Sequence, residues 1–145
     1  MFLTTKGRYA VMAMLEMQKS HTIGKMISLK EVAEKQNLST HYLEQIFSLL
    51  KKANIIKSIK GPGGGYVFEK TTDKIKLIDI LQAVGENIKI AKCEIETKKI
   101  CSHSHDLHCN SHALWVNLSD YLAEYFENTS LQDLTNNNFF YKKQK

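Results

Sequence analysis

A glycine-rich turn that contains the chain's only proline, residues 61–65 (GPGGG), is the strongest local constraint on the fold. Residues 55–60 before it and residues 66–69 after it alternate between apolar and polar side chains, as β-strands do. Glycine tolerates positive φ and proline fixes its own φ, so the segment favours a tight reversal between two strands. The sequence therefore predicts a β-hairpin. A phosphate-cradling nucleotide loop is rejected because its Lys-Ser/Thr ending and its following helix are missing.

Two helices are predicted just before this hairpin. Residues 28–31 (SLKE) have the spacing of a capping box, and the helix that they begin ends near Gln36. Asn37 and Leu38 make a tight connection, and Ser39 is a natural N-cap for the next helix. The apolar stripe of that helix is Leu43, Ile46, Phe47 and Leu50, and its polar side carries Thr40, His41, Glu44, Gln45 and Ser48.

An earlier helix is predicted over residues 5–19, where Arg8, Val11, Met12 and Leu15 recur on one face. The two helices after it have the pattern of a helix-turn-helix, for which an ordinary helical hairpin is the alternative. The β-hairpin favours the first interpretation because it would form the wing of a winged helix-turn-helix module. The sequence thus predicts a mainly α fold with a small β-hairpin wing, joined to a long dimerisation helix.

Positive charge is concentrated in the first half of the chain. The net charge is +5, but residues 1–70 carry 11 Lys and Arg against 5 Asp and Glu, whereas residues 71–145 carry 9 against 10. Lys57 and Lys60 lie on the first strand of the hairpin, where a wing meets phosphates or the minor groove. This asymmetry favours a polyanionic partner, with nucleic acid first and an anionic membrane surface second.

Composition narrows the class of protein further. Hydrophobic residues make up 43% and charged residues 24% of the chain, which excludes a disordered or low-complexity chain. No apolar run approaches the roughly 18 residues of a membrane span, and the amino terminus lacks the layout of a secretory signal. We therefore expect a cytoplasmic protein that makes no membrane contact and folds around one core.

The second half of the chain contains two further helical patterns. Residues 75–84 are amphipathic and are closed by Gly85, and a long helix begins at residue 110 or 111. The apolar face of the long helix is too large for a small chain to cover alone, which favours packing against a second copy over burial within the chain. This face carries Trp115, Leu118, Leu122 and Tyr125. The predicted divisions are a winged helix-turn-helix domain at 1–85, a ligand-binding loop at 86–109, a dimerisation helix with its following turn at 110–134, and a mobile tail at 135–145.

Three cysteines and a histidine cluster at the start of this long helix. Cys93, Cys101, Cys109 and His112 are separated by seven, seven and two residues. Three thiolates and an imidazole suit zinc, cuprous copper and iron–sulfur clusters alike, although the wide spacing is unlike a zinc finger. Three unligated buried cysteines are the alternative, and their polar surroundings argue against burial. The remaining histidines of this segment, expected to be solvated, are His103, His105 and His108.

Three segments closely resemble the IscR family of winged-helix transcription factors, which are iron–sulfur cluster regulators. They are LTTKGRYAVMAML, LSTHYLEQIFSLLKKANIIKSIKGPGGGY and CNSHALWVNLSDYL, and the resemblance runs from residue 3 to about residue 134. It implies a homodimeric repressor and activator that binds double-stranded promoter DNA and a 2Fe-2S cluster. It also implies control of cluster-assembly genes and a cluster-assembly scaffold as a donor. No nucleophile–base arrangement suggests an enzyme.

The resemblance assigns roles to individual residues of this chain. The implied cluster ligands are Cys93, Cys101, Cys109 and His112. The implied DNA-reading positions are Ser39, His41, Glu44 and Gln45 in the third helix, and Lys60 in the wing.

The chain departs from the family pattern in two places. Seven residues separate successive cysteines where the family usually has five, and Lys60 stands at a wing position that is normally arginine. A nitric-oxide-responsive branch of the family uses an aspartate near residue 8, where this chain has Arg8. That branch and a zinc-stabilised DNA-binding or interaction module are the alternatives to a 2Fe-2S regulator.

Overall fold

A computed structural model of the protein describes residues 3–22, 25–90 and 110–138. Within these ranges the chain forms helices and one two-stranded antiparallel sheet, so the predicted mainly α fold with a β-hairpin wing is confirmed. None of the helices in these ranges has the length and apolar character that crossing a bilayer demands. The elements in chain order are α1 (Thr5–Thr22), α2 (Leu29–Gln36), α3 (Thr40–Lys52), β1 (Ile56–Ile59), β2 (Gly65–Phe68), α4 (Leu77–Ala83), α5 (Asn110–Asn128) and α6 (Leu131–Thr135).

The first helix packs into the core through small residues and methionines. Ala10 and Ala13 are fully buried, and Met14 and Met17 are at most 2% exposed. The alanines allow neighbouring helices to approach the backbone of α1 closely, and the flexible methionines fill the space that remains. This face of α1 therefore contributes to a core that also includes α3 and α4.

The helical pattern predicted for the start of the chain is confirmed, but the most deeply buried face of α1 is not the one that carries Arg8, Val11, Met12 and Leu15. Arg8 is exposed and Met12 is 37% exposed, whereas Val11 and Leu15 are half-buried. Apolar residues occur on both sides of this helix, so its sequence period alone does not identify the alanine face as the buried one. The helix also continues to Thr22, whose hydroxyl donates to the carbonyl of Gln18 at 2.9 Å.

Local capping defines the boundaries of the helix-turn-helix, as predicted. The Ser28 hydroxyl accepts from the Glu31 amide at 3.2 Å, and the Glu31 carboxylate accepts from the Ser28 amide at 2.7 Å. Asn37 ends α2 in the left-handed region with φ of 52°. Ser39 then caps α3 by accepting from the Tyr42 amide at 3.1 Å.

The wing is a short hairpin attached to the start of the helix-turn-helix. Ile56 pairs with Phe68 and Ile59 with Gly65, and Ile27 forms an isolated bridge to Tyr66 on the other side of β2. A Cβ at Gly65 would lie 2.6 Å from the Ile27 carbonyl oxygen, so glycine is required for this close approach. The wing is thus fixed on both sides of β2.

The last helix returns to the same core. The Leu131 amide donates to the Ile75 carbonyl at 2.8 Å, and the Leu77 amide donates to the Thr129 carbonyl at 3.0 Å. Leu131 is fully buried in the core that contains α1. These bonds hold the start of α6 beside the start of α4.

A buried polar junction also connects α1 to α6. The Gln18 amide nitrogen donates to the Thr72 hydroxyl at 3.1 Å and to the Gln132 side-chain oxygen at 3.0 Å. The Thr72 hydroxyl donates to the same Gln132 oxygen at 2.8 Å. Because these groups lie at the edge of an apolar core, their mutual hydrogen bonds offset part of the cost of removing them from water, although the buried Gln18 side-chain oxygen accepts no hydrogen bond within the described residues.

Glu16 joins α1 to the end of α2 by electrostatics. Its side chain is largely covered, and its oxygens lie 3.0 Å from the Lys35 ammonium and 3.3 Å from the Lys19 ammonium. Burial alone would raise the pKa of Glu16, but hydrogen bonds and charges from Lys35 and Lys19 outweigh burial and lower it below its usual value of 4.5.

This ion-pair cluster predicts a pH-dependent contribution to stability. Since the pKa of Glu16 is lower in the folded protein than in the unfolded chain, its stabilisation is present above the unfolded pKa and is lost as the pH falls through the folded pKa. Glu16→Gln should lower the free energy of unfolding by about 1 kcal/mol at pH 7, with the difference shrinking below about pH 4. Urea denaturation at several pH values measures this.

Glu34→Gln is the control, because Glu34 and Lys30 form an exposed pair at 3.9 Å. That substitution should change the free energy of unfolding by at most about 0.5 kcal/mol. An equal loss for Glu16→Gln at pH 7 and at pH 3 would contradict the assigned ion pairs.

Candidate functional site

The third helix has one buried and one solvent-facing side. Leu43, Ile46 and Leu50 are fully buried and Phe47 is 1% exposed. The predicted DNA-reading residues lie on the opposite side of the helix, where they are accessible to a partner. They are Ser39, His41, Glu44 and Gln45, and all four are exposed.

Polar side chains on this exposed side contact one another. The His41 Nδ1 atom lies 3.7 Å from a Glu44 carboxylate oxygen, which makes an ion pair when the imidazole is protonated. The His41 Nε2 atom lies 3.4 Å from the Gln45 side-chain nitrogen, which donates when that ring nitrogen carries no proton. The three side chains therefore form one hydrogen-bonding surface.

Ser39 has a structural role that limits its freedom. Its hydroxyl oxygen accepts from the Tyr42 amide at the start of α3, so one lone pair is occupied by capping. The hydroxyl proton is still available for donation to an acceptor outside the helix. Ser39 is thus able to cap the helix and to contact a partner at once.

The wing, which contacts α3 through Ser58, carries an exposed cationic side chain. Lys60 is exposed and directly follows β1, at the entry to the glycine-rich turn. Lys57 lies on the same strand, but its ammonium is 3.8 Å from the Glu69 carboxylate. Of the two wing lysines singled out from the sequence, Lys60 is therefore the better placed to contact an external anion.

The sequence did not reveal how α3 and the wing are held together. The Lys51 ammonium donates to the Ser58 hydroxyl at 2.9 Å, which connects the last turn of α3 to the middle of β1. The rings of Phe47 and Tyr66 also meet edge to face, with centroids 4.7 Å apart. These contacts depend on the pairing register of β1 and β2, which the local sequence pattern does not specify.

The predicted ligand set lies only partly in the described residues. His112 is half-buried in the first turn of α5, whereas Cys93, Cys101 and Cys109 lie outside the described ranges. Among the residues that are described, no cluster of His, Cys, Asp or Glu could hold a metal ion. His112 is therefore the one predicted ligand whose position can be stated.

The start of the cysteine-bearing segment is held against the helix that carries His112. The Ile90 amide donates to the Ser119 hydroxyl at 3.0 Å. Ser119 follows His112 by about two turns of α5, or roughly 10 Å along its axis. Cys93 is three residues beyond Ile90, a length of chain that spans up to about 10 Å. The Ile90 hydrogen bond therefore holds the chain just before the cysteine segment against the helix that carries His112, and the donor set of three thiolates and an imidazole fits an iron–sulfur cluster.

The long helix exposes a row of large apolar side chains. Leu114, Leu118 and Tyr121 follow one another at helical spacing and are 56%, 39% and 50% exposed. Trp115 beside them is 36% exposed. This apolar row, Leu114, Trp115, Leu118 and Tyr121, is left uncovered by the rest of the described chain.

Comparison with known proteins identifies close relatives. Residues 3–137 match the Rrf2 family, described as iron-dependent transcriptional regulators. The HTH-type transcriptional regulator IscR of Escherichia coli O1:K1 is 39% identical over 137 residues, which cover 94% of this chain and 82% of IscR. These relatives are regulators of transcription and not enzymes, as the sequence predicted.

Solved structures agree with this assignment. CymR, the global cysteine regulator of B. subtilis, is 33% identical with a TM-score of 0.79, over 94% of this chain and 98% of CymR. IscR of T. potens is 26% identical with a TM-score of 0.74, over 100% of this chain and 93% of that protein. The family match covers residues 3–137, and the 39% identity to IscR and the shared fold agree with it. This chain therefore belongs to the Rrf2 family of transcriptional regulators.

Proposed function

We propose that this protein is a homodimeric, iron–sulfur cluster-sensing regulator that binds promoter DNA and controls genes of iron–sulfur cluster assembly. The observation that carries the proposal is the attachment of Ile90 to Ser119 on α5. It holds the chain just before the three cysteines against the helix that carries His112, and the other half of the chain exposes polar side chains on α3 and a basic wing.

DNA recognition is assigned to the exposed side of α3. The Gln45 amide has a donor and an acceptor that match the acceptor and donor of adenine in the major groove, and Glu44 can accept from the cytosine amino group. A carboxylate is also repelled by phosphates and finds no donor on the major-groove edges of guanine or thymine. Glu44 therefore favours DNA sites with cytosine at this position and disfavours sites with guanine or thymine there. His41, which contacts both side chains, orients them. Ser39 and Lys60 contribute contacts at the two ends of this surface.

The cluster is assigned to Cys93, Cys101, Cys109 and His112. When bound, a 2Fe-2S cluster supplies an oxidation-sensitive group whose occupancy reflects cluster supply. His112 supports this role as a half-buried side chain fixed by the first turn of α5. An iron–sulfur assembly scaffold is the proposed cluster donor, and the cytoplasm is the proposed location because promoter DNA must be accessible.

The similarity to CymR favours one further candidate, a regulator that responds to cysteine supply. A zinc-stabilised module and a nitric-oxide-responsive iron–sulfur regulator also compete with the proposed function. Metal and sulfide content separates these candidates. A protein that contains zinc alone supports the zinc-stabilised module. Four iron and four sulfide ions per protomer support the nitric-oxide-responsive branch, and a protein that contains neither zinc nor iron supports the cysteine-responsive regulator.

The first prediction from this proposal concerns the cluster. Protein purified without oxygen should contain iron and sulfide in the ratio to protein that a 2Fe-2S cluster requires, with visible absorption. Cys101→Ala should abolish both, because a neutral methyl group cannot replace a thiolate ligand. His112→Ala should lower cluster content, whereas His105→Ala, the matched control, should leave it unchanged. Normal iron and sulfide in Cys101→Ala would rule out the assigned ligand set.

The second prediction concerns the wing. Duplexes selected by the parent protein from a random pool provide the DNA probe. Lys60→Ala should weaken binding and reduce the salt dependence of log K by up to about one unit, because one phosphate contact is lost. Lys57→Ala on the same strand is the control, since Lys57 is already paired with Glu69. Unchanged affinity and salt dependence in Lys60→Ala would remove Lys60 from the interface.

The third prediction concerns assembly. The apolar row on α5 is the proposed dimer contact, so Leu118→Lys should shift the protein from dimer to monomer in light scattering. Asp120→Lys introduces the same side chain on a different side of α5 and should remain dimeric. The monomer should keep its helical circular dichroism but bind palindromic DNA more weakly. A Leu118→Lys protein that stays dimeric would place the dimer contact elsewhere.

A further inference from the structure

The DNA-facing side of α3 is bordered by different elements on its two flanks. On one flank, Lys51 contacts Ser58 of the wing. On the other flank, the Tyr42 ring packs edge to face on the Tyr9 ring of α1, with centroids 5.9 Å apart. Lys51 follows Tyr42 by about two and a half helical turns, so the two contacts lie on opposite sides of α3.

The start of α1 therefore lies beside the surface assigned to DNA. Lys6 precedes Tyr9 by three residues and Thr5 precedes it by four, so both share the side of α1 that faces Tyr42. Thr5 is exposed and Lys6 is half-buried. Their side chains border α3 on the flank opposite the wing.

The charge of Lys6 is not compensated within the described chain. No ion pair in residues 3–22, 25–90 or 110–138 involves Lys6. The first turn of α1 contains no acidic residue, and a cation at a helix N-terminus opposes the helix dipole. An external anion beside the Lys6 ammonium would supply an ion-pair partner for it.

Two backbone amides at this terminus, those of Thr4 and Gly7, already donate to an internal carboxylate. Glu86 accepts from the Gly7 amide at 3.1 Å and from the Thr4 amide at 3.4 Å, and the Thr4 hydroxyl also donates to it. An internal carboxylate thus already lies at the helix terminus. On the side of α1 that faces Tyr42, the side chains of Thr5 and Lys6 can contact an external anion.

We infer that Thr5 and Lys6 form a second phosphate contact with the DNA. The wing contacts the backbone on one side of the major groove, and Thr5 and Lys6 contact the backbone on the other side. This inference rests on the proposed DNA-binding function. With α3 in a groove about 12 Å wide, the wing and the start of α1 each border one wall of the groove. The Lys6 ammonium supplies the charge and the Thr5 hydroxyl supplies a neutral donor, and neither reads base sequence.

The test compares variants on pool-selected duplexes over a range of salt concentrations. Lys6→Ala should weaken binding about five- to tenfold at 0.1 M salt and reduce the salt dependence of log K by about 0.9. The loss should be uniform across sequences, because a phosphate contact carries no base information. Lys6→Arg should restore both affinity and salt dependence.

Lys19→Ala is the matched control. Lys19 lies on the same helix about 20 Å from Lys6 along its axis, and its removal changes the net charge equally. It should leave DNA affinity and salt dependence close to those of the parent. Equal losses in Lys6→Ala and Lys19→Ala would mean that net charge is responsible, and would overturn the assignment.

Neutral methylphosphonate linkages locate the contact on the DNA. At one linkage per half-site, outside the wing contact, the neutral substitution should weaken DNA binding by the parent protein. The same substitution should not further weaken DNA binding by Lys6→Ala. If every linkage that affects the parent affects Lys6→Ala equally, the inference is wrong although the protein binds DNA. If the parent binds no duplex from the pool, the proposed DNA-binding function itself fails. Circular dichroism of Lys6→Ala and Lys6→Arg confirms that any change in binding does not come from unfolding.

Discussion

Burial of one side of α3 is the constraint on which the rest of the structure depends. Leu43, Ile46, Phe47 and Leu50 are at most 1% exposed, and burying side chains of this size stabilises a fold by about 1.5–3 kcal/mol each. Because α3 is packed along this stripe, it cannot rotate about its axis. The polar side chains on its other side therefore keep a fixed direction toward solvent, which a recognition surface requires. The edge-to-face contact of Phe47 with Tyr66 extends the same core into the wing.

Local chemistry in the sequence was sufficient to predict the helix-turn-helix and the wing. The serine caps at Ser28 and Ser39 and the glycine-rich turn each act through hydrogen bonds or dihedral angles of nearby residues, so short sequence windows contain them. The apolar period of α3 is equally local, and its buried face was predicted correctly. On α1 the same method predicted the helix but not its most deeply buried face, because apolar residues occupy both sides of that helix and only tertiary packing selects the alanine face.

Long-range contacts were beyond the reach of sequence patterns. The bridge between Ile27 and Tyr66 and the hydrogen bond between Leu131 and Ile75 join residues far apart in the chain. Neither leaves a periodic signal, since each depends on how separate elements meet. Of the candidate site, the exposed residues of α3 followed from helical period, and the link from Lys51 to Ser58 emerged only from the folded arrangement. The cysteines lie outside the described residues, and their role stays a prediction.

The segment proposed to bind the cluster is connected at both ends to α1. Before it, Glu86 accepts from the amides at the start of α1, and after it, α5 leads to Leu131 and Gln132, which pack on α1 and contact Gln18. In the proposed function, a change in the order of this segment acts on α1 at its beginning and near its end. Since Tyr9 of α1 packs on Tyr42 of α3, any movement of α1 relative to the core displaces the flank of the recognition surface. In the proposed function, a small adjustment at the ligands would reach the surface assigned to DNA through these packed side chains, without requiring α3 itself to unfold.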